Sequence, residues 1–261
     1  MTFFLHDSIQ PNTPLDLIEH GSASRRTGGE FPLLADKLRV PQHGRFVERE
    51  RLSTMLERSR TQFPATLISG RAGTGKTALA AAFAAKSHHT AWYKVDTTDV
   101  DWKVFSRYFS QCLSNAGFNA SDGGDGRSYT PANAVAKFLV SHFMRPEPRS
   151  GDRQTLIVLD DIHHLFDAEW FEEFFKLLLY SLPVGTHVLL LCRSKPPAPL
   201  WRLRSKQVLN VIGEDQLAFT SDEAAQLFKL YKRQDLDAAG ACESSFGHAA
   251  KLVQLAEQPA D

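Results

Sequence analysis

The chain has 261 residues, 43% of them hydrophobic, and its 30 basic side chains balance 30 acidic ones. This length allows one large α/β domain or a core with a smaller domain, and the absence of net charge argues against a global field that would recruit nucleic acid or an anionic membrane. We find neither a secretory signal nor an apolar run long enough to span a bilayer, and the three cysteines are widely spaced. These features predict a cytoplasmic protein with reduced thiols.

Apolar strands alternate with helices through most of the chain, after an irregular stretch rich in Ser, Gly and Arg that predicts a flexible N-terminal arm over residues 1–36. A narrow apolar stripe predicts a helix over Phe46–Arg60. Strands are predicted over 66–70, 90–96, 155–160, 187–193 and 208–213, and helices from about residue 76 and over 102–113, 132–144 and 168–182. Apolar strands separated by helices indicate a parallel sheet covered on both faces.

The pattern becomes wholly helical from Thr220. Residues Thr220–Glu223 have capping-box spacing, which predicts a helix from there to about Tyr231. A second helix is predicted over 243–258, with a candidate break at Gly247. The predicted domains are therefore an arm over 1–36, an α/β core over 37–219 and a helical lid over 220–261. Residues 117–131 are predicted to be a flexible insertion.

A glycine-rich turn between a strand and a helix predicts a phosphate site. The sequence GRAGTGKT over Gly70–Thr77, here called the phosphate loop, fits G-x-x-x-x-G-K-[ST] at every fixed position. Its glycines allow backbone N–H groups to converge on phosphate oxygens, and the following helix points its positive end at the same anion. The residues predicted to bind nucleotide here are Gly70, Gly73, Thr74, Gly75, Lys76 and Thr77. Lys76 is expected to contact the β- and γ-phosphates, and the Thr77 hydroxyl to ligate Mg²⁺.

Two acids follow the strand TLIVL. Asp160 is expected to hold magnesium through water, and Asp161 to orient or deprotonate an attacking water, although capping of the next helix is an alternative. Arg193 ends the next strand, where it is expected to read the γ-phosphate or, alternatively, to anchor the strand end to a surface acid. His163 and His164 have no partner at zinc spacing and are assigned to the edge of the sheet.

Five segments in sequence resemble the MalT/LuxR-type signal transduction ATPases with numerous domains (STAND), which are P-loop NTPases related to AAA+ ATPases. They are TLISGRAGTGKTALAAAFAA (66–85), TAWYKVDTTDVDWKVFSRYF (90–109), LIVLDDIHHL (156–165), VLLLCRSKPP (188–197) and LAFTSDEAAQLF (217–228). The resemblance covers about residues 37–257. It implies an α/β P-loop three-layer sandwich with a five-stranded parallel sheet, followed by the lid. Because a strand intervenes between the two motifs, the sheet resembles the class in which the acid-bearing strand does not directly neighbour the phosphate-loop strand.

The resemblance also assigns roles to particular residues. Lys76 and Thr77 resemble the phosphate and magnesium ligands, and Asp160, Asp161 and Arg193 resemble the magnesium-site acid, its catalytic neighbour and the sensor arginine.

Two further segments resemble family segments that lie near the nucleotide. FVERERL (46–52) resembles FVGRERE, which lies by the adenine and ribose, and this likeness implies that Arg49 contacts the nucleotide; Glu48 stands where the family has glycine. GHAAKL (247–252) resembles the lid segment GWATAL, with His248 in place of tryptophan.

The function implied by the resemblance is an ATP-binding, slowly hydrolysing regulatory switch that uses ATP, ADP and Mg²⁺. A P-loop kinase, with WRLRSK (201–206) as its acceptor-binding element, and a binding scaffold with a degenerate site are the alternatives. Family members continue into inducer-sensing repeats and commonly a DNA-binding helix-turn-helix. This chain ends at Asp261, so it is expected to be an excised domain, a truncated relative or a stand-alone switch. We expect this chain to bind neither DNA nor membrane itself. It is compatible with self-association in the ATP state, and the sequence does not identify the inducer.

Overall fold

The computed structural model describes residues 33–42, 44–118, 131–143 and 155–258. Residues 1–32 of the predicted arm and 119–130 of the predicted insertion lie outside the described residues. The described residues from Leu34 onward belong to one compact unit, which begins with a short 3-10 turn over Ala35–Leu38.

A five-stranded sheet forms the centre of this unit, and every neighbouring pair of strands is parallel. Its strands are β1 (Ala65–Ser69), β2 (His89–Lys94), β3 (Thr155–Asp160), β4 (Thr186–Cys192) and β5 (Leu209–Ile212). Their order across the sheet is β2-β3-β4-β1-β5. Strand β4 therefore separates β1, which leads into the phosphate loop, from β3, which ends at Asp160. This is the α/β arrangement that the sequence predicts.

Helices cover both faces of the sheet, as expected for a parallel sheet whose central strands are largely buried. The helices of the core are α1 (Glu50–Gln62), α2 (Lys76–Ala84), α3 (Trp102–Asn115), α4 (Pro131–Phe143), α5 (Phe171–Ser181), α6 (Ala198–Ser205) and α7 (Glu214–Leu217). Aliphatic side chains of α1 and α2 pack on the sheet, whereas an aromatic cluster that includes Phe105 and Phe174 joins α3 to α5. Within the described part of the chain, no helix is both long and apolar enough to cross a membrane.

The described residues after Thr220, here called the lid after the role predicted for them, contain three helices, α8 (Ser221–Leu230), α9 (Ala238–Ser245) and α10 (Ala249–Glu257). The capping box is present at the start of α8, where Thr220 and Glu223 exchange side-chain to backbone hydrogen bonds. The predicted helix over 243–258 is in fact the end of α9 and the whole of α10. Phe246 and Gly247 separate them because both adopt left-handed backbone angles, with φ of 54° and 64°.

The predicted helix over Phe46–Arg60 is wrong at its start. Residues 46–49 are not helical, and α1 begins at Glu50. Val47 belongs to the hydrophobic cluster of the lid, together with Leu227 and Leu252. The segment before α1 therefore connects the core to the lid instead of lengthening the helix.

Candidate functional site

The phosphate loop turns back on itself between β1 and α2. Gly73 and Gly75 have φ angles of 79° and 87°, a region in which a side chain is strained. Gly75 directly precedes α2, so the unpaired N–H groups of the first helical turn face the inside of the loop. This local geometry supplies the converging donors that an anionic ligand needs.

Lys76 lies buried inside this loop. Its Nζ donates to the carbonyl oxygens of Gly70 at 2.6 Å and Arg71 at 2.8 Å. Burial lowers the pKa of Lys76, although the nearby Asp161 works in the opposite direction. Among the described residues, no carboxylate forms an ion pair with this ammonium. Its charge is therefore available to an anion in the loop.

Thr77 and Asp160 meet across the sheet edge, although they are 83 residues apart. The Thr77 hydroxyl donates to Asp160 Oδ2 at 3.0 Å, whereas the buried Oδ1 has no partner among the described residues. Burial, reinforced by Asp161, raises the pKa of Asp160 to about 6. A buried carboxylate with a free oxygen and a raised pKa is a site that a cation would stabilise.

Asp161 and Arg193 form a bidentate ion pair at the ends of β3 and β4. Arg193 Nε and one Nη donate to the two carboxylate oxygens, each at 2.9 Å. Asp161 is buried and has a left-handed φ of 62°, whereas the Arg193 side chain is half exposed. Such fork-to-fork pairs fix the geometry of both groups. The structure thus brings the two predicted catalytic residues together and pairs them with each other.

His163 also lies at this edge, a position to which the sequence assigned no chemistry. Its Nδ1 is 3.8 Å from Asp161 Oδ1, and its ring lies 4.1 Å from that of His164. Burial and the neighbouring His164 lower the pKa of His163, which favours the neutral form of the imidazole. The Asp-Asp-x-His spacing is the sequence feature that could have indicated this position. The spacing alone does not show that His163 lies beside Asp161, because that depends on the conformation of the turn between them.

The lid contacts the phosphate loop directly. The backbone N–H of Ala250 donates to the Gly73 carbonyl at 2.9 Å, and His248 Nε2 lies 2.9 Å from the Ala72 carbonyl. A Cβ on Gly73 would come within 2.7 Å of the His248 ring and 2.8 Å of Ala250. The start of α10 is thus seated on the loop that the sequence assigns to phosphates.

Arg49 is engaged in contacts within the protein. Its guanidinium is buried, with Nε donating to Glu223 at 3.0 Å and one Nη to the carbonyls of Leu217 and Ala218 at 2.8 and 2.9 Å. It also lies 4.1 Å from the Phe219 ring. Arg49 therefore ties the segment before α1 to the beginning of the lid, and a nucleotide contact for it stays a prediction.

A cavity of about 390 Å³ opens beside the phosphate loop. Gly73 and Gly75 form one wall, Phe46, Val47 and Arg49 line a second, and Ala249 and Ala250 contribute from the lid. The two segments that were expected near the nucleotide, 46–52 and 247–252, thus face the same space. His248 does not line this cavity; its ring faces a neighbouring one, which it shares with Arg71 and Glu214.

The sequence of this chain is similar to those of known ATPase domains. The sequence model of the AAA ATPase domain matches residues 43–191. The chain belongs to the AAA ATPase domain family. It is 27% identical over 192 residues to the HTH-type transcriptional regulator MalT of Vibrio cholerae, a match covering 74% of this chain and 21% of the relative. It is 29% identical over 213 residues to MalT of Serratia proteamaculans, covering 80% and 23%. The chain spans about a fifth of the length of these curated relatives.

A solved structure supports the fold of this AAA ATPase domain. A signal transduction ATPase with numerous domains and a tetratricopeptide repeat sensor, from Pyrococcus horikoshii, superposes with a TM-score of 0.59 at 22% identity. The match covers 85% of this chain and 31% of that protein. At this identity the likeness establishes the P-loop fold and no more.

The AAA ATPase family implies a nucleotide and typically Mg²⁺, and the residues present fit both. The free Oδ1 of Asp160 and the Thr77 hydroxyl offer two oxygen ligands. Among the described residues, no cluster of three or more His, Cys, Asp or Glu side chains is placed to hold a metal ion. A site with few protein oxygens suits Mg²⁺, which keeps several waters and shares substrate phosphates.

Proposed function

We propose that this chain is the ATP-binding and slowly hydrolysing switch domain of a MalT-like transcriptional regulator. The observation that carries the proposal is the hydrogen bond between the lid and the phosphate loop, from Ala250 N–H to the Gly73 carbonyl. A nucleotide that reorganises this loop must act on the lid at once, because the two share a backbone contact. Such coupling suits a protein whose conformation reports the bound nucleotide.

The nucleotide that we propose is ATP or ADP. The loop amides and Lys76 bind its phosphates, and the cavity between residues 46–49 and the lid takes the adenine and ribose. Thr77 and Asp160 would hold Mg²⁺, which when bound offsets the negative charge of the phosphates. Asp161 orients the attacking water and accepts its proton, and His163 Nδ1 lies 3.8 Å from one oxygen of this carboxylate.

Arg193 distinguishes ATP from ADP in this proposal. In the closed lid arrangement, its guanidinium is paired with Asp161. A γ-phosphate competes for the same donors, since guanidinium groups bind phosphate oxygens as readily as carboxylates. ATP therefore favours separation of the pair and opening of the lid, and ADP favours the closed form.

The state and partners follow from this scheme as predictions. The purified chain is expected to carry ADP, to be monomeric in that state and to remain in the cytoplasm. Its turnover should lie well below the ~10 per second typical of metabolic enzymes. Self-association belongs to the ATP state. With no net charge, the isolated chain should bind duplex DNA no better than a generic protein. The inducing signal would be read by parts of the regulator other than this domain.

Nucleotide analysis of the Arg193→Gln variant tests the proposal. We expect wild-type protein to release ADP on denaturation, and the variant to lose discrimination between ADP and a non-hydrolysable ATP analogue in calorimetry. Arg202→Gln is the matched control, because Arg202 pairs with Glu172 on the exposed surface of α6. Nucleotide-free, rapidly exchanging wild-type protein with metabolic turnover would instead support a phosphoryl-transfer enzyme.

A further inference from the structure

A buried ion cluster lies at the β2 edge of the sheet, three strands away from β1. Lys37, in the turn Ala35–Leu38, directs its ammonium at two acids that follow β2. Its Nζ lies 2.8 and 2.7 Å from the two oxygens of Asp99 and 2.9 Å from Asp96 Oδ2. Lys37 and Asp99 are buried, whereas Asp96 is half exposed. None of the proposed steps of nucleotide binding uses this cluster.

The segment that carries Lys37 is fixed to the core by further contacts. The ammonium lies over the ring of Tyr108 in α3, 4.4 Å from its centroid, where a cation–π interaction is favourable. The backbone N–H of Leu34 donates to the hydroxyl of the same tyrosine at 3.0 Å. Residues 34–39 therefore form a strap that runs over the β2 edge of the sheet and is held there by Lys37 and by the backbone of Leu34.

The acids of the cluster shape the turn beyond β2. Asp99 accepts a hydrogen bond from the backbone N–H of Asp96 at 2.8 Å, and Asp96 accepts one from that of Thr98 at 2.8 Å. Although partial burial opposes it, the hydrogen bonds from Thr98 and Lys37 keep the pKa of Asp96 below its ordinary value. Both acids thus make contacts that define the turn Thr97–Val100.

This turn is connected to the two acids of the nucleotide site. The backbone N–H of Val95, one residue before Asp96, donates to the carbonyl of Asp160 at 2.9 Å. The turn Thr97–Val100 also packs against the turn Ile162–Leu165, which begins immediately after Asp161. A backbone hydrogen bond to Asp160 and a turn packed next to Asp161 therefore link the Lys37 cluster to these two acids.

We propose that Lys37 is a positioning residue for hydrolysis and that docking of the strap controls the rate at which the site cleaves ATP. By fixing Asp96 and Asp99, it holds the end of β2 against Asp160 and the turn after Asp161. The phosphate loop lies on β1, with β3 and β4 between it and β2, so the contacts that the loop itself makes with phosphates do not depend on the strap. This inference rests on the proposed ATPase function. A partner that lifts residues 34–39 would prolong the ATP state.

The double variant Lys37→Met/Asp99→Asn tests the proposal without leaving a buried charge unpaired. We expect ATP hydrolysis under single-turnover conditions to slow at least tenfold, while the Kd for ADP and for a non-hydrolysable ATP analogue changes less than twofold. Hydrogen exchange at Val95 should accelerate, with exchange in α2 unchanged. Arg39→Gln is the matched control, because Arg39 and Asp36 form an exposed pair in the same segment, and it should alter none of these values.

A folded double variant that hydrolyses ATP at the wild-type rate would overturn the inference. A parallel loss of nucleotide affinity and hydrolysis would also overturn it, because it would indicate that the cluster is purely structural. Should the double variant not fold, Asp96→Asn removes one ligand of the ammonium from a half-exposed position, and we expect it to slow hydrolysis two- to fivefold. An unchanged rate in that variant would again contradict the inference. If the wild type binds nucleotide but does not hydrolyse it, the proposed function fails first, and the inference fails with it.

Discussion

Replacing Asp160 by asparagine should stabilise the nucleotide-free protein against unfolding while impairing Mg²⁺-dependent ATP hydrolysis. The pKa of Asp160 is raised from its ordinary value of 3.8 to about 6, first by burial and then by the neighbouring Asp161. Each pKa unit corresponds to roughly 1.4 kcal/mol, so ionised Asp160 costs the folded state roughly 3 kcal/mol above pH 6. Asparagine removes this cost, and its carbonyl oxygen still accepts the bond from Thr77. We expect a gain of roughly 1–3 kcal/mol at pH 7.5.

The stability gained by Asp160→Asn should depend on pH, and the raised pKa of Asp160 determines the direction of that dependence. A carboxyl group whose folded pKa exceeds its unfolded pKa stabilises the protein at low pH, and this contribution is lost as the pH rises from about 3.8 through about 6. The advantage of Asp160→Asn in urea unfolding with EDTA should therefore shrink as the pH falls towards 4. Adding Mg²⁺ and ATP should favour the wild type. A less stable variant, or an advantage that does not vary with pH, would refute the reasoning.

Three further outcomes are expected. Lys76→Ala should weaken ADP and ATP binding by roughly 1.5–3 kcal/mol in calorimetry, because a charge-assisted contact in a partly desolvated site is lost; unchanged affinity would contradict the phosphate role. Asp161→Asn should retain ATP yet nearly stop phosphate release, because an amide cannot accept a proton from water; a wild-type rate would leave Asp161 a purely structural residue. Burial lowers the pKa of His187 from 6.5 to about 4, so the folded state should lose roughly 3 kcal/mol as the pH falls through this window. His187→Gln should flatten that loss in urea unfolding, and an unaltered slope would assign it to other groups.

The sequence predicts the core of this fold well because its signals are local. Each buried strand is a short apolar run. The phosphate loop is a contiguous pattern whose glycines allow the tight turn. The position of Asp160 and Arg193 at one edge of the sheet follows from a general property of parallel strands, whose carboxyl ends share an edge. These inferences need no knowledge of which side chains touch.

Pairings between distant segments are what the sequence does not reveal. Arg49 and Glu223 are 174 residues apart, and Lys37 and Asp99 are 62 apart. Each residue alone resembles a solvated charge on a helix or turn, and only the packing of the lid and the strap shows that it is buried with a partner. The misplaced start of α1 has the same origin, since Val47 fits a helical stripe in sequence but packs into the lid cluster.

The pair of Asp161 and Arg193 suggests why a domain with an intact phosphate loop would work slowly. Both carboxylate oxygens already accept a guanidinium hydrogen bond. In the proposed switch, Arg193 must leave Asp161 to reach a γ-phosphate, and the acid is free to orient water only after that exchange. Once the γ-phosphate has departed, the arginine has no competing partner at that position and the pair re-forms. One guanidinium would thus both distinguish ATP from ADP and limit the rate of ATP hydrolysis. Such an arrangement favours a long-lived nucleotide state instead of rapid turnover.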